Sequence, residues 1–552
     1  MTALKSLLKS IDVQRRSRSL LLFCAVALVF GISYTQDAIY HSPENQNTKY
    51  LHGLALAGHG FLAQDWTANT LNPLPAFTAL VRFTYQLHPE YAFYAYYFIV
   101  FGLYVFSLTG IAASIYPAIA SRARWVPFFA LLLLVHCLDI EIGDIDIGWH
   151  LYAGVAQQYI LGPVFQPANF GVFLLVSIWL FLQRRGLWAL AAAAACLAVA
   201  VTFHPAYLPS VGALTLAYMV VLARQRQWIS AASVGLVSGL LALPVLLYML
   251  ITFSDTSPEL AQQATAYIVN ERIPHHSLPA EWVDSSVYLQ MLVVGLGVYL
   301  GRRHPLAIIL GVPFAVAILG TVLQVITGSD FIAFVAPWRI SVFLLPVATS
   351  VALGALVSWL PLERARARRF AAWLSATVIV ILAIVGGVEQ WHEWHPQDGT
   401  EAMMTYVKQT VQPDEVYLLP HRDKRLRRFR LYTGAPIYIN RKSHPYKDVE
   451  VIEWSDRLAL AKRFYNTKKP QAQCQLLRRR FSQAGVTHVV FPQEVKQRCP
   501  ELQKRYRDEE YSVYEWLPKR RDKPKASIIP PAELGVLPGE LGSPSAGPGA
   551  PG

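Results

Sequence analysis

Through the first 390 positions apolar residues show neither the spacing of an amphipathic helix nor the alternation of a half-buried strand. They run together in long blocks. A helix needs about 20 mostly apolar residues to cross a bilayer core. The blocks predict eleven membrane-crossing helices, over 19–35, 91–119, 125–140, 168–183, 186–203, 206–223, 228–252, 285–301, 305–326, 339–360 and 370–389. Basic residues mark alternate ends of these segments. Lys5, Lys9, Arg15, Arg16 and Arg18 precede the first, and Arg122/Arg124, Arg184/Arg185, Arg224/Arg226, Arg302/Arg303 and Arg364–Arg369 punctuate the later ones. The intervening loops are poor in Lys and Arg, and 139–167 has none. The positive-inside bias then puts the amino terminus in the cytoplasm and, after eleven crossings, the carboxyl domain outside. The first segment has a basic region before its apolar run but no small-x-small cleavage site before Tyr34, so it reads as an uncleaved anchor. No internal repeat is evident.

Beyond 390 the pattern changes. Segments 400–411, 448–465 and 472–484 have helical spacing, with Gly485 as a C-cap, and Val416–Leu419, 436–440, Thr487–Phe491 and Tyr511–Trp516 read as strands. The chain thus divides into a basic cytoplasmic amino terminus (1–18) and an α-helical multi-pass membrane domain (19–389) with a long first outer loop (36–90). A small extracytoplasmic α/β domain (390–517) and a Pro- and Gly-rich tail (518–552) follow. The tail has too few apolar residues to offset its ordering entropy and is expected to be disordered.

Composition agrees: 54% of residues are hydrophobic and 15% charged, against about 25% charged in soluble domains. A soluble enzyme, a disulfide-built secreted scaffold and a disordered polymer are excluded. The net charge of +13 would suggest a nucleic-acid partner, but in the membrane domain basic residues act as topology signals. From 390 onward 28 basic residues face 19 acidic ones, a surplus suited to anionic head groups or an acidic glycan, and no nucleic-acid partner is expected. In particular, the run 421–430 reads as a solvated basic surface. Cys24, Cys137 and Cys196 fall in spans as packing residues. Cys474 and Cys499 share the tail domain, where an oxidising compartment permits a disulfide between them.

The spans themselves hold almost no Asp, Glu, Lys or Arg away from their ends. Ion-coupled transporters place such groups at membrane depth, so a carrier is left only as one for neutral solutes or lipids. Chemistry is expected in the outer loops instead. The first of these contains Asp37, Glu44-Asn45-Gln46-Asn47-Thr48-Lys49-Tyr50, an apolar run over 51–63, Gln64-Asp65-Trp66 and Asn72-Pro73-Leu74-Pro75 before a second helical run. This order resembles the first outer loop of the GT-C integral-membrane glycosyltransferases, with Lys49-Tyr50 in the place of an Arg-Tyr and Gln64-Asp65-Trp66 in that of a Gly-Asp-Trp turn. The resemblance at residue level covers about forty positions, and in topology most of 1–390. It implies transfer of a sugar from a polyprenyl-phosphate donor to an envelope glycan, lipid or protein acceptor at the outer face of a bacterial inner membrane.

One departure bears on catalysis: Gln46 and Asn47 stand where the family's acidic pair is expected, and neither is a base at neutral pH. The remaining candidates for the catalytic carboxylate are Asp37, Glu44 and Asp65, with a helix cap as the alternative role of Asp65. The second outer loop carries Asp139, Glu141, Asp144 and Asp146 within eight residues. Oxygen ligands at this density suit a divalent cation such as magnesium or manganese, or form a hydrated acidic rim. Arg272, His275, His276 and Arg339 sit in the fourth and fifth outer loops as candidates for the donor phosphate. His204 and Tyr207 in the third could line the same face, but His204 reads first as a satisfied core histidine. The tail domain has no P-loop, dinucleotide fingerprint or nucleophile elbow. A non-catalytic relative binding lipid or glycan in envelope assembly is the main alternative, favoured by Gln46 and Asn47.

Overall fold

The computed structural model describes residues 2–34, 45–88, 91–138, 141–142, 145–162, 164–183, 186–395, 398–493 and 499–517. Each expected membrane segment is a helix: α1 (Thr2–Tyr34), α2 (Ala92–Ile115), α3 (Arg122–Cys137), α4 (Val172–Gln183), α5 (Leu187–Phe203), α6 (Leu208–Arg224), α7 (Trp228–Thr252), α8 (Ser285–Leu300), α9 (Leu306–Thr327), α10 (Ser341–Trp359) and α11 (Ala365–Trp394). Among the described residues, six helical stretches are long and apolar enough to cross a membrane, and four apolar helices are shorter. The chain is a multi-pass helical membrane protein.

Position in the bundle follows polarity. The stretch containing α10 is central, with 83% of its most apolar window buried, and it packs on α8, α2 and α3. Helices α7 and α11 bury only 11% and 17% of theirs, leaving Leu, Ile and Val side chains exposed as lipid would require. Helix α11 is held by backbone proximity: a Cβ on Gly386 would lie 2.1 Å from the carbonyl oxygen of Ile32 in α1. At one end of the bundle Arg124 donates to the carbonyls of Val357 (2.6 Å), Ser358 (3.0 Å) and Leu360 (3.1 Å) and pairs with Glu363. These otherwise unsatisfied carbonyls at the end of α10 attract a cation. The contact puts the Arg122/Arg124 and Arg364–Arg369 junctions at the same end, as the alternation requires.

At the other end the first loop folds into short helices, Gln46–Lys49 and Leu51–Ala57, and a longer one, Pro75–Leu87. The tail domain docks on it. The domain's sheet contains β1 (Tyr417–Leu418), β2 (His488–Pro492), β3 (Leu502–Arg507) and β4 (Tyr511–Trp516) in the order β1-β2-β4-β3. Strand β1 runs parallel to β2 and the other pairings are antiparallel. Helices α12 (Glu401–Thr410) and α13 (Asp448–Asn466) flank it. One expectation is corrected, and one strand was not anticipated. Segment 436–440 makes only an isolated bridge, Tyr417 to Ile437, and its Ile437 amide goes to Asp65 of the first loop rather than to a second strand. Strand β3 carries no alternation, since as an edge strand it exposes Gln503, Lys504 and Arg505. Cys474 and Cys499 are joined as a disulfide, with Cα atoms 5.6 Å apart. The tail 518–552 lies outside the described residues.

The basic run 421–430 is only in part a solvated surface: Arg422 and Lys424 are exposed, but its later arginines turn inward. Arg428 is buried and pairs with Asp398 (3.0 Å) and Glu401 (2.8 Å), and Arg425 pairs with Asp423 (3.0 Å). Arg430 is fully buried and reaches out of its own domain to Asp65.

Candidate functional site

All five expected outer loops and the tail domain meet around one cavity of about 290 Å³. The first loop contributes Asn45, Thr48 and Lys49, the second Trp149, Gln157, Gln158 and Tyr159, and the third His204 and Tyr207. The fourth contributes Arg272, His275 and His276, the fifth Arg339, and the tail domain Lys442, His444 and Tyr446. No carboxylate is among the described lining residues, so four fixed cations face the cavity without an acid in its wall.

The arginines are set differently. Arg272 donates to the Lys442 carbonyl (2.7 Å) and to His444 Nδ1 (3.2 Å), which orients its guanidinium across the junction between membrane and tail domains. Arg339 follows the turn at Ala336, held at φ 52°, and Pro337. Among the described residues no carboxylate pairs with Arg339, and its Nε is buried without a hydrogen-bond partner. Arg339 is half-buried, and a guanidinium with a desolvated Nε and no described counter-charge is costly unless a ligand supplies one. Lys49 donates to the Tyr446 hydroxyl (3.4 Å).

The histidines are neutral here. Burial, then His275 and the nearby arginines, push His276 down to about 3. Burial followed by Arg272, Lys442 and Arg441 lowers His275, and burial with Arg272 and Lys49 holds His444 well below its ordinary range. Imidazoles lose their protons where cations already crowd. His276 Nδ1 lies 2.7 Å from the Ala156 carbonyl and 2.9 Å from Gln158 Nε2, so its tautomer sets whether it donates to the first or accepts from the second.

The second-loop wall is a strained turn. Ala156 and Gln157 both have positive φ, 57° and 56°, a conformation that non-glycine residues adopt at a cost of about 1–3 kcal/mol each. The turn is fastened to the start of α10 at Gly154, where a Cβ would sit 2.5 Å from Ser341 Oγ. Of the five non-glycine positive-φ residues among those described, Gln157 lines this cavity, Ala156 directly precedes it, and Ala336 opens the turn that carries Arg339.

Of the residues singled out in sequence, Arg272, His275, His276 and Arg339 come together in the cavity wall. His204 and Tyr207 join them; His204 Nδ1 is buried without a partner, so it is not the satisfied core histidine expected. Asp65 does not join them. Its Oδ1 accepts from Arg430 (3.0 Å) and the Thr67 amide (2.9 Å), and Oδ2 accepts from the Ile437 amide (3.0 Å), all fully buried. It links two domains rather than facing substrate space. Asp37 and Glu44 lie outside the described residues, although Glu44 directly precedes Asn45 in sequence. Asp139 and Asp144 also lie outside them. Glu141 is exposed, and Asp146 caps the helix Ile147–Tyr152 by accepting from the Trp149 amide (3.0 Å). Among the described residues, the metal-ligating types gather only at the Cys474–Cys499 bond with Glu501.

A solved structure matches this chain over most of its length. The match is to the crystal structure of ArnT from Cupriavidus metallidurans bound to undecaprenyl phosphate, with 12% identity and a TM-score of 0.47 over 90% of this chain and 98% of that one. Residues 398–461 match a domain of unknown function (DUF6798), which covers the start of the tail domain through most of α13. No curated protein matches the chain.

Sequence reasoning did not reach Lys442, His444 and Tyr446. Their segment, Arg441-Lys-Ser-His-Pro-Tyr446, is a short basic and aromatic run between an expected strand and α13. Its contrast with its neighbours was the available signal. Gln157, Gln158 and Tyr159 carry no signal of their own.

Proposed function

We propose that this protein is a membrane glycosyltransferase that takes a sugar from a polyprenyl-phosphate donor and passes it to an envelope glycan, lipid or protein. The observation that carries the reading is the cavity, where Lys49, Arg272, Arg339 and Lys442 converge with no acid in the described wall. A sugar phosphate supplies the missing negative charge. In the transfer the bond from the anomeric carbon to the phosphate oxygen breaks and its electron pair stays on the phosphate. Preorganised cations lower the energy of that leaving group. Gln157, Gln158, Asn45 and Thr48 offer amides and a hydroxyl for the sugar, while the prenyl chain remains among the bundle helices and lipid.

The test is transfer of labelled sugar from a synthetic polyprenyl-phosphate donor by the purified protein, with a mixed pool of envelope lipids and glycans as acceptor. Time-dependent, acceptor-dependent label is expected; donor binding without transfer would sink the catalytic reading. That second outcome describes a non-catalytic lipid- or glycan-binding protein, which the burial of Asp65 and the presence of Gln46 and Asn47 favour. A divalent cation at Glu141, Asp146, Asp139 and Asp144 is a separate element of the proposal, tested by transfer in the presence of a chelator.

The cavity end of the bundle is proposed to face the periplasm or cell exterior, with the amino terminus in the cytoplasm. The alternation of basic junctions supports this orientation. A single cysteine introduced at 530 is expected to react with an impermeant maleimide on intact spheroplasts. Reaction only after permeabilisation would reverse the assignment.

A further inference from the structure

Transfer to a hydroxyl acceptor needs a group that takes its proton. The described cavity wall holds no carboxylate, and Asp65 is committed to Arg430. The neutral histidines are poor bases: burial first, and then the field of the surrounding cations, disfavours the protonated imidazole, and His276 is pushed down to about 3. The same field acts in the opposite sense on an acid whose deprotonated form is an anion.

The cavity contains one phenol that meets several cations at once, Tyr446 of the tail domain. Lys49, from the helix Gln46–Lys49, donates to its hydroxyl at 3.4 Å and lies 5.7 Å from its ring centroid. Arg339 faces it from the turn before α10 and Arg272 from the fourth loop. Among the described residues, its remaining ring neighbours carry no negative charge. The Phe253 ring, just beyond α7, is 6.5 Å away, and the neutral His444 ring is 4.9 Å away. Lys447 and Asp448, next along the chain, pair with each other at 3.7 Å. Burial raises the phenol's pKa, but Lys49, Arg339 and Arg272 together outweigh it, and the net direction is downward.

We propose that Tyr446 is the general base of the transfer, a role that rests on the glycosyltransferase reading given above. The Tyr446 phenolate takes the proton of the acceptor hydroxyl as the acceptor oxygen bonds to the anomeric carbon. The carbon–phosphate oxygen bond breaks with its electron pair going to the phosphate. The proton then leaves Tyr446 for the product phosphate or for water, which restores the phenolate. Because the active form is the deprotonated one, transfer rises with pH until the depressed phenol pKa and levels above it. Tyr446 supplies a base that the described cavity wall of the membrane domain does not, which makes the tail domain a working part of the site.

The experiment compares wild type, Tyr446→Phe and Lys49→Met in the transfer assay across pH, with donor binding measured separately. It is paired with a phenolate absorbance titration of wild type against Tyr446→Phe. Tyr446→Phe is expected to lower kcat about 10²-fold or more, with the donor Kd changed less than about threefold. Lys49→Met is expected to move the rising limb of the pH profile to higher pH. The titration is expected to show one phenol ionising below the bulk tyrosines. Wild-type transfer with an undiminished rate in Tyr446→Phe overturns the base role and leaves the glycosyltransferase reading standing. A slow Tyr446→Phe enzyme with the Lys49→Met limb unmoved also overturns the base role. Donor binding with no transfer by wild type overturns the glycosyltransferase reading and the base role together.

Discussion

Replacing Arg339 with glutamine is expected to lower sugar transfer by about 10²–10³-fold, the usual effect of removing one preorganised donor to a developing charge. The same change is expected to raise the thermal midpoint of the unliganded protein. Arg339 has no carboxylate partner among the described residues and a buried, unpartnered Nε, so in the empty protein its charge is a destabilising feature. The two effects have opposite signs, which separates a ligand-binding role from a packing one. Polyprenyl phosphate supplied at about 100 times its Kd stabilises the wild type by about 2.7 kcal/mol. Arg339→Gln at the same concentration should show little of that shift. Arg339→Lys should not restore full transfer, because an ammonium lacks the planar two-pronged fit to phosphate. A variant that loses stability together with activity would indicate that Arg339 holds the turn rather than the donor.

The second large effect is structural. Asp65→Asn is expected to cost roughly 3–5 kcal/mol, the penalty for leaving the fully buried Arg430 without its counter-charge. Arg430 also donates to the Asn47 carbonyl (3.1 Å) and to the Ser443 hydroxyl. It therefore ties the segment carrying Thr48 and Lys49 to the one carrying Lys442, His444 and Tyr446. Neighbouring contacts share the work. His59 Nε2 donates to the Leu431 carbonyl (2.7 Å), the Phe61 amide donates to Gly434 (2.8 Å), and Arg457 lies 4.5 Å over the Trp66 ring. Gly60 and Gly434 permit this approach, since a Cβ on Gly60 would meet the Gly434 carbonyl at 2.5 Å. Limited proteolysis should show faster cleavage between 395 and 430 in Asp65→Asn. The double variant Asp65→Leu/Arg430→Met should recover most of the stability, since it removes both charges at once. Equal losses in single and double variants would rule out the ion pair as the cause. Activity should follow the docked fraction of tail domain in each case.

Helix positions were legible because each depends on a local run. The apolar blocks set α1 to α11 to within a few residues at most ends, and α12, α13, β2 and β4 were readable from spacing. The failures share one physical origin. Strand β3 is a polar edge whose pairing, not its sequence, makes it a strand. Segment 436–440 reads as a strand but gives its Ile437 amide to Asp65. Asp65 itself sits in a turn that resembles a catalytic one, yet its partner lies 365 positions along the chain. Arg428 and Arg430 belong to a run that looks solvated, and only the fold turns them inward.

For the site, sequence placed Arg272, His275, His276 and Arg339 on loops of the same face, because alternate basic junctions fix the parity of every crossing. It did not supply the tail-domain wall of the cavity, the neutral state of its histidines or the isolation of Arg339, since these depend on which charges the fold brings together. By itself, then, the sequence determined an eleven-helix membrane body, the loops sharing one end, and an α/β tail domain. The tertiary structure alone decided that the tail closes the cavity, that Asp65 serves the docking of that tail, and that the wall so formed is cationic. Helix and topology signals are written in local hydropathy and charge, whereas ion pairing and desolvation belong to residues that meet only after folding.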